Sequence, residues 1–233
     1  MKRNPDDNFA KLLDIDKRLA EEYGRPRWRS HGPPLEVLIG TVLSQHTSDV
    51  NTARAFASLR KTFPKWQDVI SSPTFEVANA IRSGGLANIK APRIQNILRA
   101  IEDETGILSL DWLRHQTLDR SRMWLEALPG VGPKTASCVL LFSLGFPAMP
   151  VDTHVHRVSR RLGLIAPVTS ANDAHRTLDR LTSPDRDLIY GFHVNLIAHG
   201  RAVCKARSPA CSACVLNDIC PSGAPSIHRR VNL

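Results

Sequence analysis

The sequence predicts an all-α protein built from many short helices. Apolar residues recur at helical spacing, no segment alternates convincingly between apolar and polar residues, and prolines punctuate the apolar segments. The clearest apolar stripe follows the i, i+3, i+4, i+7, i+8 pattern and comprises Leu35, Leu38, Ile39, Val42 and Leu43. The punctuating prolines are Pro64, Pro73, Pro92, Pro129, Pro147, Pro150 and Pro167.

The elements follow one another along the chain in the order that these stripes suggest. Arg25–Pro34 (RPRWRSHGPP) is expected to connect a short amino-terminal helix to the Leu35–Leu43 helix. Two further stripes comprise Phe56, Leu59 and Phe63, and then Ile94, Ile97, Leu98 and Ile101. Beyond them, Leu118–Leu128 and Pro133–Leu144 read as two helices, and Val155, Val158 and Leu162 lie on another.

Charge and composition narrow the class of protein. The chain of 233 residues carries a formal net charge of +9, which favours nucleic acid, an anionic membrane or a polyphosphate as partner. Its longest uncharged run, Thr135–Val151, is interrupted by Gly145, Pro147 and Pro150, which argues against a membrane span. We therefore expect a soluble, cytoplasmic protein without an anchor or export signal, associated with the nucleoid if the cell is bacterial.

The stretch LPGVGPKTA, Leu128–Ala136, joins two of the predicted helices by a turn of about four residues. Gly130 and Gly132 can adopt positive φ and bring bare backbone close to another surface, while the following helix offers unpaired N–H groups. Together with Val131 they predict a seat for a nucleic-acid phosphate. An ordinary corner between two helices is the alternative.

Lys134 and Asp152 are the candidate catalytic residues. Lys134 occupies the first turn of its helix, where the helix dipole and any burial lower the pKa of the amine and favour a neutral nucleophile. Asp152 stands at an expected N-cap, which holds its carboxylate ionised and able to stabilise a developing cation or accept a proton. A phosphate-binding or solvated lysine and a plain helix cap remain the alternatives.

Four of the five cysteines crowd into the carboxy-terminal part of the chain. They are spaced C-x6-C-x2-C-x5-C and comprise Cys204, Cys211, Cys214 and Cys220. Four thiolates so close together predict a [4Fe-4S] cluster, with a zinc site as the competing interpretation. Lys205 and Arg207 lie in the first loop and can contact phosphate or simply be solvated, and Cys138 is expected to be a small core residue.

These motifs together closely resemble the endonuclease III family of DNA glycosylases with AP lyase activity, in the helix-hairpin-helix superfamily. The resemblance rests on LPGVGPKTA, on the eighteen residues that separate Lys134 from Asp152 in VDTHV, and on the cysteine spacing. It implies two helical lobes with DNA between them. A six-helix domain with the hairpin would span residues 28–146, and residues 1–27 and 147–233 would form a lobe with the iron-sulfur cluster.

The resemblance also implies a chemistry and a partner. The target base of a damaged duplex is flipped out, Lys134 attacks C1′ to form a Schiff base, β-elimination cuts the strand, and Asp152 assists. The cluster would hold a DNA-facing loop, and the protein would act as a monomer. Leu86 matches the wedge leucine of the family, with a core leucine as the alternative. His46 stands where the family usually has glutamine, preceded by Gln45, and can instead be a half-buried helix residue.

The resemblance leaves three functions open. A glycosylase and lyase for oxidised pyrimidines is the leading interpretation. A mismatch glycosylase for adenine or thymine is opposed by Lys134, which such relatives generally lack. The adenine-specific relatives also carry an extra carboxy-terminal domain, for which the thirteen residues after Cys220 are expected to be too few. A non-catalytic damage-binding module would require neither Lys134 nor Asp152.

Overall fold

The computed structural model describes residues 5–182 and 184–223. Their α-helices are α1 (Pro5–Tyr23), α2 (Pro34–Leu43), α3 (Asp49–Thr62), α4 (Trp66–Ser71), α5 (Thr74–Ala80), α6 (Ala87–Thr105), α7 (Leu118–Ala127), α8 (Pro133–Val139), α9 (Thr153–Arg161), α10 (Ala171–Thr182) and α11 (Arg186–Ala202). Short 3₁₀-helices occupy Arg82–Gly84, Asp111–His115 and Cys211–Ala213. These residues contain no strand, and the all-α prediction is confirmed.

The chain divides into two compact units. One unit comprises Met1–Arg29 and Pro147–Leu233 and contains α1 and α9 to α11. The other comprises Ser30–Phe146 and contains α2 to α8. Each unit has its own buried apolar side chains, so each has its own core.

The core of the Ser30–Phe146 unit forms around α2 and α6. Helix α2 packs against α3, α6 and α8, and all five side chains of its predicted stripe are buried. Helix α6 packs against α4 and α5, and its four predicted stripe residues are fully buried. The helical spacing of apolar residues therefore identified the faces that this unit buries.

The helix that begins at Pro133 changes its winding before it ends. Sequence spacing predicted one helix over Pro133–Leu144, but the α-helix ends at Val139 and Leu140–Leu144 form a π-helix. The π segment ends at Gly145, which has a φ of +74°, and the carbonyl of Phe142 accepts a 2.8 Å hydrogen bond from the His31 amide. The centroids of the stacked His31 and Phe142 rings are 4.8 Å apart, and this contact fixes the π segment within its unit.

In the other unit, α11 packs against α1 and α9, and α10 packs against the same two helices. The Asn195 amide on α11 donates a 2.9 Å hydrogen bond to the carbonyl of Gly24, just after α1. Arg18 on α1 pairs with Asp218 at 2.8 Å and so ties this helix to the cysteine-bearing loop. Among the helices of the described residues, none is long and apolar enough to cross a membrane.

Candidate active site and metal-binding loop

Five residues, 128–132, connect α7 to α8 and form the predicted hairpin. Gly130 has a φ of +75°, in the left-handed region that favours glycine. A Cβ added there would lie 2.9 Å from Nε of Arg93. Gly132 has a φ of −100°, which any residue can adopt, so the expectation that both glycines serve positive φ is correct for Gly130 alone.

Lys134 is the second residue of α8 and is half-buried. Gly132 is the N-cap of this helix and supplies no capping side chain, so backbone N–H groups of the first turn are left for another acceptor. The buried side chain of Val131 anchors the loop to the core just before the helix begins. The hairpin therefore presents an amine beside a surface suited to an anion.

Asp152 is the N-cap of α9, as its place in the sequence indicated. Its carboxylate accepts a 2.7 Å hydrogen bond from the Val155 amide, and the residue is half-buried. This bond caps the first turn of α9 and fixes the position of the carboxylate. Lys134 belongs to the Ser30–Phe146 unit, whereas Asp152 belongs to the other.

The residues before Asp152 are held by side chains that sequence reasoning did not identify. Nδ1 of His175 lies 2.9 Å from the carbonyl oxygen of Met149, and Nδ1 of His193 lies 2.9 Å from that of Pro150. Because a carbonyl only accepts, both Nδ1 atoms carry the hydrogen. Asp179 accepts a 2.7 Å hydrogen bond from the Met149 amide. The backbone of Met149 and Pro150, just before Asp152, is thus held by side-chain hydrogen bonds to its amide and carbonyl groups.

Gln45 and His46 lie in the turn after α2. Oε1 of the Gln45 side chain accepts a 2.8 Å hydrogen bond from Nη1 of Arg93, the same side chain that packs on Gly130. His46 is exposed and has a φ of +55°. The alternative that His46 continues the buried stripe is wrong, because α2 ends at Leu43 and the turn directs the imidazole to solvent.

Leu86 is the N-cap of α6 and is 48% exposed, with a φ of +50°. The alternative of a core leucine is therefore wrong for this position. A large apolar side chain in a left-handed conformation, exposed at a turn, costs both solvation and backbone energy. Such features occur where a surface is built for contact.

The four clustered cysteines line one small cavity, of about 30 Å³. Within residues 5–182 and 184–223, no three His, Cys, Asp or Glu side chains converge on a position for a single metal ion. Arg161 donates to the Cys204 sulfur at 3.3 Å, and the Leu216 amide donates to the Cys214 sulfur at 3.4 Å. Hydrogen bonds of this kind stabilise the negative charge on cysteine sulfurs that bind a metal. The set of four thiols has the donor chemistry of a cysteine-ligated cluster.

The surroundings of the loop set its proton chemistry. Burial raises the pKa of the Cys214 and Cys220 thiols, so a metal that binds these sulfurs must displace their protons. Lys205 and Arg207 are exposed on the loop between Cys204 and Cys211. Cys138 is buried, as expected of a core residue.

Comparison with protein families decides the classification. The sequence model of one protein family, described as HhH-GPD superfamily base excision DNA repair protein, matches residues 39–184, more than half of the chain. The chain belongs to the HhH-GPD superfamily. The iron-sulfur binding domain of endonuclease III matches residues 204–220 of this HhH-GPD protein, from the first to the last of the four clustered cysteines.

Several relatives support the same assignment. A relative from Arabidopsis thaliana, named as a DNA glycosylase, is 42% identical over 167 residues. The matched region is 72% of this chain but only 56% of that relative. Endonuclease III of Bacillus subtilis is 35% identical over 193 residues, 83% of each chain. A solved structure of a trapped covalent intermediate of endonuclease III with DNA has a TM-score of 0.76 and 32% identity, covering 92% of this chain and 96% of that one. The family resemblance and the [4Fe-4S] cofactor are confirmed.

Proposed function

We propose that this DNA glycosylase is bifunctional, excising oxidised pyrimidines from duplex DNA and then cutting the strand as an AP lyase. The observation that carries the proposal is the position of Lys134 in the first turn after the hairpin. The solved structure of endonuclease III trapped covalently on DNA supports it, because its fold covers nearly the whole of this chain. The proposed partner is duplex DNA with a damaged base or an abasic site.

In the proposed reaction, the neutral amine of Lys134 attacks C1′ of the flipped nucleotide as the bond from C1′ to the base breaks. The proton that Nζ gives up goes to the departing base, O4′ takes a proton from solvent as the sugar ring opens, and a protonated Schiff base forms between Nζ and C1′. Loss of a proton from C2′ then expels the 3′ phosphate and cuts the strand. Water hydrolyses the remaining imine and returns the lysine.

Asp152 supports the charge that this sequence creates. The hydrogen bond from the Val155 amide fixes the position of its carboxylate, which can stabilise the cationic sugar and accept protons. Its proposed role is therefore electrostatic stabilisation and proton acceptance.

The remaining site residues are proposed to bind and open the duplex. Backbone groups of 130–132 contact a phosphate, and Lys205 and Arg207 add charge that attracts the DNA backbone. Leu86 and His46 fill the gap beside the extruded base, with Gln45 next to them. We infer that the protein acts as a monomer in the cytoplasm, at the nucleoid in a bacterial cell.

The clustered cysteines are proposed to hold the iron-sulfur group. Its four ligands would be Cys204, Cys211, Cys214 and Cys220, and the bound cluster would crosslink the loop that carries Lys205 and Arg207. The chain itself contributes the hydrogen bond from Arg161 to the Cys204 sulfur. The proposed role of the cluster is thus structural.

Borohydride trapping tests the proposed function. Purified protein is incubated with a thymine-glycol duplex and borohydride, beside Lys134→Ala and Asp152→Asn variants and Lys205→Ala as a control lysine. We expect a covalent adduct with wild type and Lys205→Ala but none with Lys134→Ala, which still binds DNA. An adduct from Lys134→Ala would contradict the assignment.

The failure of wild type to form an adduct is equally informative. If the cluster colour and DNA binding are intact and mismatched duplexes lose adenine or thymine without strand cleavage, the chain is a mismatch glycosylase. If no base is released from any duplex, it is a damage-binding module.

A further inference from the structure

Lys90, the fourth residue of α6, is 2% exposed. Its Nζ donates hydrogen bonds of 2.7 Å to the carbonyl of Leu43 and 2.8 Å to the carbonyl of Gly84. Burial lowers the pKa of this amine. Burying a lysine amine costs desolvation free energy. An apolar residue at this position would avoid that cost and would extend the buried stripe that contains Ile94.

The two carbonyls lie at the start of the two turns that carry the proposed gap-filling residues. Leu43 ends α2, three residues before His46, and Gly84 ends a 3₁₀-helix, two residues before Leu86. One amine thus connects both turns.

Both gap-filling residues share an unusual backbone. His46 and Leu86 have φ values of +55° and +50°, and together with Ser208 they are the non-glycine residues with positive φ in the described part of the chain. A left-handed backbone is sterically unfavourable for an L-residue, because its Cβ crowds the following carbonyl oxygen. It persists only where neighbouring contacts hold the turn in place.

We propose that Lys90 is a positioning residue that fixes the His46 turn relative to the Leu86 turn, so that both side chains enter the opened duplex together. This role rests on the proposed function, since it presumes that His46 and Leu86 fill the gap. Lys90 itself touches no DNA and takes no part in the chemistry. Its loss should impair the opening of duplex DNA and spare reactions that need no opening.

Gln95 provides a matched control on the same helix. It is 1% exposed, and its Nε2 donates to the carbonyls of Val69 at 2.9 Å and Ser72 at 2.8 Å. It therefore also connects two backbone carbonyls from within the core. The residues that it holds, at the end of α4, include none of the proposed DNA contacts.

The test compares Lys90→Met, Lys90→Gln and Gln95→Met on two substrates. One is a duplex with thymine glycol, assayed for base release in a single turnover. The other is a single-stranded oligonucleotide with an abasic site, assayed for strand cleavage, where no stack is opened and no gap is filled. Thermal unfolding of each variant is measured in parallel.

We expect Lys90→Met to slow base release from the duplex at least about tenfold, since small misplacements of positioning groups have large effects on rate. Cleavage of the single strand should stay within about twofold of wild type, because Lys134 is unchanged. Gln95→Met should keep the wild-type ratio of the two rates, even where its unfolding temperature falls equally. Adding Leu86→Ala to Lys90→Met should cost less than Leu86→Ala alone.

Three results would overturn the proposal. If Lys90→Met and Gln95→Met have the same ratio of duplex base release to single-strand cleavage, Lys90 contributes to stability alone. If Lys90→Met does not fold, a wild-type ratio for Lys90→Gln, whose shorter amide cannot reach both carbonyls, would do the same. Inactivity of wild type on both substrates would remove the proposed function, and this role with it, whereas a selective defect in the variants leaves both standing.

Discussion

Replacing Gly130 by alanine should destabilise the protein through the hairpin. The φ of +75° costs an alanine about 1–2 kcal/mol. Its Cβ would lie 2.9 Å from Nε and 3.0 Å from Cδ of Arg93, so that side chain must move. Movement breaks the 2.8 Å hydrogen bond from Arg93 to Gln45, which contributes about 0.5–1.5 kcal/mol.

The two effects together predict that the free energy of unfolding falls by about 1.5–3.5 kcal/mol. For a chain of this size, that corresponds to an unfolding temperature lowered by roughly 3–14 °C. The assay is thermal unfolding followed by circular dichroism of the helices, with the cluster content of each sample matched.

Gly132→Ala supplies the control. Gly132 has a φ of −100°, and no atom lies within 4 Å of an added Cβ, so this alanine should leave the unfolding temperature unchanged. If Gly132 backbone approaches a DNA phosphate as proposed, Gly132→Ala should still weaken DNA binding. Equal stability of Gly130→Ala and wild type, or equal destabilisation by both alanines, would show that the positive φ and the contact with Arg93 do not make Gly130 necessary.

Two further predictions concern the unit with the cysteines. Burial raises the pKa of Asp16 despite its 3.0 Å hydrogen bond from Arg25. The protonated carboxyl therefore contributes fully to the free energy of unfolding below pH 3.8, and this contribution is lost as the pH rises through the folded-state pKa. Asp16→Asn should therefore unfold at a higher temperature than wild type at pH 7, with the difference shrinking towards pH 4; a less stable variant at pH 7 would contradict this. Arg161→Met removes donors to the Cys204 sulfur and to the carbonyls of Lys205 and Ala206, so a chelator should bleach the cluster's visible absorbance faster, and an unchanged rate would count against a stabilising role.

Local signals in the sequence were sufficient for much of the fold. Helical spacing identified the buried faces of α2 and α6, because burial of an apolar stripe is decided within one helix. The capping position of Asp152 was equally local, since an N-cap depends on a short side chain and the amide three residues later.

Features that depend on contacts distant in sequence were not predictable in this way. The exposed, left-handed His46 and Leu86 follow from how the turns are held, and the bond from Arg93 to Gln45 joins residues 48 positions apart. Lys90 did leave a signal, since it lies four residues before Ile94 on the buried stripe. Its charge alone would have suggested the opposite face.

The most direct test of the account is peptide mapping of the borohydride-trapped adduct by mass spectrometry. Wild-type protein trapped on the thymine-glycol duplex is digested, and the modified lysine is located by fragmentation. We expect the reduced link to C1′ to lie on Nζ of Lys134, in the peptide that contains the hairpin. A link at any other amine, with Lys134 unmodified, would contradict it.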